Sequence, residues 1–241
     1  EASEAKLALW MLGHAIDLPQ RQPATKVGAA VCKLDQACCA PHGHDKLKQI
    51  SLTLRSGEIV AIAGVSGNGQ VALAELLSGV RCVSSGSVTF LGQPMHGSPA
   101  DLVPQGLARI PEDRHAVGVV GDLPVWENAV SERLRSPHFS RRILGLRWVR
   151  RTVAMAHAQR IIVDFDVRGA GPLSNARALS GGNMQKLILG RALRSPDGST
   201  PKLIVAHQPS WGLDLGAVAY VQQHLIAARD EGAAVLLIYD D

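Results

Sequence analysis

Leu179-Ser180-Gly181-Gly182-Asn183-Met184-Gln185-Lys186, answered farther along by Gln208-Pro209-Ser210-Trp211-Gly212-Leu213-Asp214, are the segments whose reading decides the fold. Ser180 is a good N-cap, because its hydroxyl can accept from the open N–H groups of a first helical turn. Gly181 and Gly182 let an anion approach the backbone, and the positive end of a helix dipole favours that anion. Met184 to Leu193 reads as the helix itself, stopped before Pro196. Taken alone, Ser-Gly-Gly is equally an ordinary turn ahead of an amphipathic helix. The neighbouring segments decide between the two.

Glu58 to Ala63 is a short apolar run of strand type that enters Gly64-Val65-Ser66-Gly67-Asn68-Gly69-Gln70-Val71, followed by a helical pattern from Ala72 to Leu77. Strand, glycine-rich loop and helix in that order are the layout of a phosphate loop. Aligned on G-x-x-x-x-G-K-[ST], the glycines fall on Gly64 and Gly69, but Gln70 replaces the lysine and Val71 the hydroxyl residue. The backbone from Ser66 to Gly69 can still cradle phosphate. Gln70, however, brings no positive charge to it, and Val71 offers Mg2+ no oxygen.

Two continuous apolar runs, Lys202 to Ala206 and Ala233 to Ile238, have the character of buried parallel strands. The first ends in His207-Gln208-Pro209 and the second in Tyr239-Asp240-Asp241. His207 is expected to be a hydrogen-bonded strand-end histidine, and no metal site is expected. Pro111-Glu112-Asp113-Arg114 by itself reads as a charged, solvated turn.

In this order the segments resemble the ATP-binding cassettes. The particular wording Gly-Val-Ser-Gly-Asn-Gly-Gln, Pro-Glu-Asp-Arg, Leu-Ser-Gly-Gly-Asn-Met-Gln-Lys and Gln-Pro-Ser-Trp-Gly-Leu-Asp resembles the second, C-terminal cassette of double-cassette ATPases that drive bacterial simple-sugar and nucleoside importers. The resemblance implies an α/β fold: a P-loop NTPase core with an antiparallel β subdomain and a helical signature subdomain. It implies ATP as ligand, and two cassettes that each lend a signature to the nucleotide on the partner's phosphate loop. Leu179, Ser180, Gly181, Gly182, Asn183 and Gln185 would be the signature acting in trans, and Asp214 the D-loop aspartate. Glu112, Asp113 and Arg114 would form the loop that couples to the permease, with Glu112 where the family has glutamine.

The same resemblance exposes departures. His207 stands where an aspartate would hold the magnesium shell, and Gln208 where a glutamate would act on the attacking water. Asp240 stands where a histidine would contact the γ-phosphate. Gln208-Pro209 suits the nucleoside branch, whereas His207 and Trp211 depart from it. With Gln70, Val71 and Glu112, these changes imply a site that binds ATP weakly and does not hydrolyse it alone, beside an intact signature. Implied partners are the first cassette of the same polypeptide, transmembrane permease subunits and, indirectly, a solute-binding protein. Two alternatives are an ATPase active in its own right and a cassette used outside transport.

At 241 residues there is room for one core with subdomains. The chain is 46% hydrophobic yet contains no apolar run near 18 residues, which excludes a helical membrane span. No leader is visible, so a cytoplasmic place is expected, peripheral on the inner face of the membrane as the resemblance implies. Residues 1–25 are expected to be an inter-cassette linker, with a short helix over Ala5 to His14 and a polar stretch from Asp17 to Pro23. The nucleotide-binding domain should fill 26–241, largely helical over 111–194 and incomplete at its C-terminal end. Cys32, Cys38, Cys39 and Cys82 lack metal spacing and read as reduced thiols. Arg133, Arg135, Arg141, Arg142, Arg147, Arg150 and Arg151 read as a solvated basic helical face; without interleaved aromatics, no nucleic-acid partner is expected. His42 and His44 lie where an adenine-stacking aromatic would be, and neither supplies one.

Overall fold

The computed structural model describes residue 23 and residues 26–42, 45–169 and 171–240; the helix expected over Ala5 to His14, most of the linker and His44 lie outside the described residues. Strands β1 (Ala30–His42), β2 (Asp45–Arg55), β4 (Ser85–Phe90) and β5 (Gln93–Pro94) form an antiparallel sheet in the order β2-β1-β4-β5. Strands β3 (Ile59–Gly64), β6 (Leu107–Ile110), β9 (Leu203–His207) and β10 (Ala234–Asp240) form a parallel sheet in the order β3-β10-β9-β6. Helix α1 (Gln70–Leu77) follows β3, and short α2 (Pro99–Leu102) precedes β6. A helical layer holds α3 (Val125–Val130), α4 (Arg151–Asp164), α5 (Gly181–Leu193) and α6 (Leu215–Asp230).

The continuous apolar run of β9 has a direct cause: all five of its residues are buried. Successive side chains point to opposite faces, so Ile204 and Ala206 enter the core under the helical layer. Leu203 and Val205 enter the core shared with α1 and the antiparallel sheet. Both faces are covered, so the strand needs no polar alternation. Each fully buried Leu or Ile contributes about 1.5–3 kcal/mol of transfer free energy.

Topology then sets the site. β10 lies between β3 and β9, pairing Asp240 with Gly64 on one side and Ile238 with His207 on the other. β9 in turn pairs with β6, Ala206 opposite Ile110. The C-terminal ends of all four parallel strands therefore share one edge, where open α/β sheets bind ligands.

The stretch 111–194, expected to be largely helical, holds α3, α4 and the signature helix α5 and also carries two strands. Ser140–Ile143 and Leu146–Val149 form a hairpin, β7–β8. Its two-residue turn places Leu144 at φ 49° and Gly145 at φ 79°, the double positive φ that matches the twist of paired strands. Arg141, Arg142 and Arg147 thus project from strands. Arg133 is buried and donates to the Arg191 carbonyl at 2.7 Å, so the arginines do not make one basic helical face. Among the described residues no helix is long and apolar enough to cross a membrane.

Two contacts lock the helical layer. Gly190 of α5 meets α4 so closely that a Cβ there would lie 2.5 Å from Ile161 Cγ2. Arg109, at the end of β6, holds the Glu132 carboxylate at 2.7 Å, with Arg191 of α5 at 3.6 Å from the same oxygen. Burial pushes the Glu132 pKa up, but Arg191 and Arg109 outweigh it and hold the carboxyl below its usual range.

Candidate functional site

β3 delivers the chain into a loop whose turn needs glycine at Gly69: φ is 105°, and a Cβ would sit 2.9 Å from the Lys46 carbonyl. α1 begins at Gln70, two residues before the expected start. Gln70 is buried and turns back into the loop. Its Oε1 accepts from the Asn68 N–H at 2.9 Å, and its Nε2 donates to the Val65 carbonyl at 2.9 Å. The Asn68 side chain donates to that same carbonyl at 2.8 Å. One N–H that could face phosphate is therefore already used inside the chain. Val71 is exposed and puts hydrocarbon on the wall of a cavity of about 320 Å³, together with Glu75, Arg109, Glu112, Val205 and His207. A loop with no lysine, no hydroxyl and an engaged amide does not fit a magnesium-bridged triphosphate in the usual way.

At the strand ends His207 stands between two carboxylates. Its Nδ1 lies 3.6 Å from Glu112 Oε2 and its Nε2 lies 3.8 Å from Asp240 Oδ1. Both separations are too long for hydrogen bonds. Among the described residues, the buried Nε2 and the buried Asp240 Oδ1 have no hydrogen-bond partner. The expectation of a hydrogen-bonded strand-end histidine is corrected accordingly. One donor atom from each of Glu112, His207 and Asp240 falls within 4.8 Å of the others, a spacing that could hold a metal ion at a place where the sequence led to the expectation of no metal site. Gln208 turns the chain off the sheet at φ 46°, and its side-chain amide donates to the Asp240 carbonyl at 3.3 Å. Backbone in that region is costly for a residue with a side chain and clusters at functional sites.

The Ser180 turn is built as its sequence indicates. Ser180 Oγ accepts from the Asn183 N–H at 3.4 Å and from its side-chain amide at 2.9 Å, and α5 starts at Gly181. Asp214 caps α6 through the Ala217 N–H at 2.9 Å. Ser180, Gly181, Gly182, Asn183 and Asp214 line one open groove of about 640 Å³, together with Asp166, Lys186 and Tyr220. Hydrogen bonds from Arg168 and Lys186 lower the Asp166 carboxyl to about 2, so the groove wall carries a fixed anion beside two cations.

Two residues expected on that face are elsewhere. Leu179 is in the core. Gln185 is buried and donates to the Pro209 carbonyl at 2.8 Å, pinning α5 to the loop after β9 instead of facing outward. Pro-Glu-Asp-Arg is likewise no loose solvated turn. Asp113 accepts from the His115 and Ala116 N–H groups, both at 2.8 Å, and these bonds, the one from Ala116 foremost, hold its carboxyl below the usual range. Arg114 is buried and donates to the Trp211 carbonyl at 2.6 Å, with Gly212 so close that a Cβ would touch its guanidinium at 3.1 Å. Thus Arg114 ties the loop after β6 to the loop after β9.

A glycine-rich turn between a parallel strand and its helix, at the C-terminal edge of a parallel sheet, defines a P-loop nucleotide-binding fold. Residues 47–198 match the family described as ABC transporter, and the chain belongs to that family. It is 36% identical over 241 residues to a guanosine import ATP-binding protein, NupO, of Bacillus subtilis (strain 168), covering 99% of this chain and 46% of the relative. It is 37% identical over 247 residues to a glucose import ATP-binding protein of Haloferax volcanii, covering 100% of this chain and 43% of that one. The chain spans a little under half the length of these curated relatives. A nucleotide-free ATP-binding cassette from an ABC transporter superposes with TM-score 0.66 at 20% identity, over 88% of this chain and 82% of that one, a likeness of fold.

Proposed function

We propose that this chain is a nucleotide-binding cassette of an importer for nucleosides or simple sugars, whose own phosphate loop is impaired and whose signature serves a partner. The observation that carries this reading is an asymmetry. Gln70 engages its own loop, while Ser180, Gly181, Gly182, Asn183 and Asp214 line one open groove. That groove has helix-start N–H groups and small residues, which suit the phosphates of a nucleotide held by another cassette. The partner is the first cassette of the same polypeptide, a reading supported by relatives about twice as long as this chain. The loop of Glu112, Asp113 and Arg114 couples to transmembrane permease subunits through its exposed side, Glu112 and Asp113, while buried Arg114 anchors it to the loop after β9, and the solute-binding protein acts only through those subunits. The assembly places the cassette on the cytoplasmic face of the membrane. No step of hydrolysis is assigned to His207, Gln208 or Asp240.

The test is calorimetric titration with ATP, with and without Mg2+, beside a phosphate-release assay. Weak or no binding and no turnover support the proposal. Steady turnover by this chain alone overturns it.

A further inference from the structure

We infer that Glu112, His207 and Asp240 form a binding site for a divalent transition-metal ion of the zinc type, distinct in ligand chemistry from the magnesium of a phosphate loop. The inference stands on this cluster alone and does not rest on the transport reading.

The His207 side chain is only 7% exposed, and its Nε2 has no hydrogen-bond partner among the described residues. Asp240 Oδ1, 3.8 Å away, is equally without one. Two buried groups that face each other without bonding are the exception in folded proteins and call for a physical account. The spacing supplies one: donors about 2.0–2.2 Å from a shared tetrahedral ion stand about 3.3–3.6 Å apart. Nε2 and Oδ1 need to move only a few tenths of an ångström. Glu112 faces the other ring nitrogen, its Oε2 3.6 Å from Nδ1, and with its side chain 40% exposed it has room to swing its carboxylate round as third ligand; one oxygen of each carboxylate and one ring nitrogen of His207 already lie within 4.8 Å of one another.

Charge balance agrees, since two carboxylates and a neutral imidazole together match a dication. An imidazole in the set selects zinc, cobalt or nickel over magnesium, which prefers oxygen alone. Three protein ligands leave one position open, the arrangement of a metal that takes water or an anion. Glu112 and His207 line a cavity that gives such a ligand access to the cluster, and Asp240 pairs with Gly64 at the mouth of the glycine-rich loop. An anion such as phosphate is the ligand class that would complete the coordination. The competing arrangement, an imidazolium held between two carboxylates, uses the same atoms and binds no metal.

The experiment takes the untagged, chelator-stripped protein, titrates it with Zn2+ by calorimetry and with Co2+ by visible absorption, and follows the melting temperature. One equivalent of Zn2+ should bind, with tetrahedral Co2+ bands and a rise in melting temperature. Glu112→Gln, a change at a partly exposed side chain, should weaken Zn2+ on the order of 10-fold or more, and His207→Gln and Asp240→Asn at least as much. Zn2+ binding that is absent, or equal in the protein and in Glu112→Gln and His207→Gln, would overturn the site. So would Mg2+ binding as tight as Zn2+, because the imidazole would then not be a ligand.

Discussion

Gln70→Lys separates the charge of the phosphate loop from its backbone. In the native loop the Gln70 amide makes two hydrogen bonds, accepting from Asn68 N–H and donating to the Val65 carbonyl. A lysine ammonium can keep the second but cannot make the first, so Asn68 N–H is released toward solvent and phosphate. Asn68 is exposed and its N–H can reach water, so the loss in stability is about 1 kcal/mol, the worth of one ordinary hydrogen bond. For a chain of this length that is about 2–4 °C in melting temperature. On the other side, one charged hydrogen bond to a phosphate oxygen is worth about 1.5–3 kcal/mol. That corresponds to roughly 10- to 150-fold tighter ATP. The assay is titration calorimetry with ATP in EDTA, with Gln70→Met as the control that empties the loop without adding charge. Gln70→Lys should exceed Gln70→Met by most of the gain. An unchanged or weaker affinity in Gln70→Lys, at a melting temperature within a few degrees of the native protein, would refute the assignment of this turn as a phosphate loop.

Ser180→Arg, placed in the full-length protein with its partner cassette, should lower ATPase activity by roughly 100-fold, the scale of losing one aligned hydrogen-bond donor at a reacting centre; a phosphate-release rate within about twofold of the unmodified protein rejects action in trans. Glu132→Gln leaves Arg109 and Arg191 without their shared carboxylate and should cost about 3 kcal/mol in urea denaturation. Because the folded Glu132 pKa lies below its ordinary value of 4.5, this stabilisation is complete above that pH and is lost as pH falls through the folded value. The gap between the two proteins should therefore be full at neutral pH and close in acid. Gly190→Ala sets a methyl 2.5 Å from Ile161 Cγ2 and 3.0 Å from Phe165 Cδ2, so denaturation should show a loss of about 1–3 kcal/mol, with α4 and α5 forced apart.

What the chain discloses in advance depends on how local the cause is. The Ser180 cap, the glycine turn at Gly69 and the apolar run of β9 are settled by a few neighbouring residues, and the structure reproduces all three. The β7–β8 hairpin is also local. Arg-Arg-Ile-Leu-Gly-Leu-Arg-Trp-Val does not alternate strictly, and Leu144 at a left-handed turn position hides the signal that asparagine would have sent. The orientation of Gln70 is a choice between solvent and the loop's own backbone, and composition does not decide it. Glu112, His207 and Asp240 are the least legible, because strand order alone brings them together. β10 must insert between β3 and β9 before the last two can meet. Gln185 fell on the wrong side because a motif names residue types and not helix faces. Its place in α5 points the amide at the Pro209 carbonyl.

Binding and hydrolysis are separable at this strand edge, and Gln70→Lys shows how. The added charge acts on phosphate oxygens at the helix start, yet nothing it changes provides a base. The Gln208 amide is a donor engaged with the Asp240 carbonyl, and an amide does not take a proton from water near neutral pH. With no metal ion bound, Asp240, 3.8 Å from His207 and at the same edge as Gly64, is a negative charge that opposes a phosphate instead of receiving one. Tighter ATP without faster phosphate release is therefore the expected pair of results for Gln70→Lys. If turnover rose in step with affinity, the water would have to be activated by Glu112 or Asp240, and Glu112→Gln and Asp240→Asn in the Gln70→Lys background would identify which.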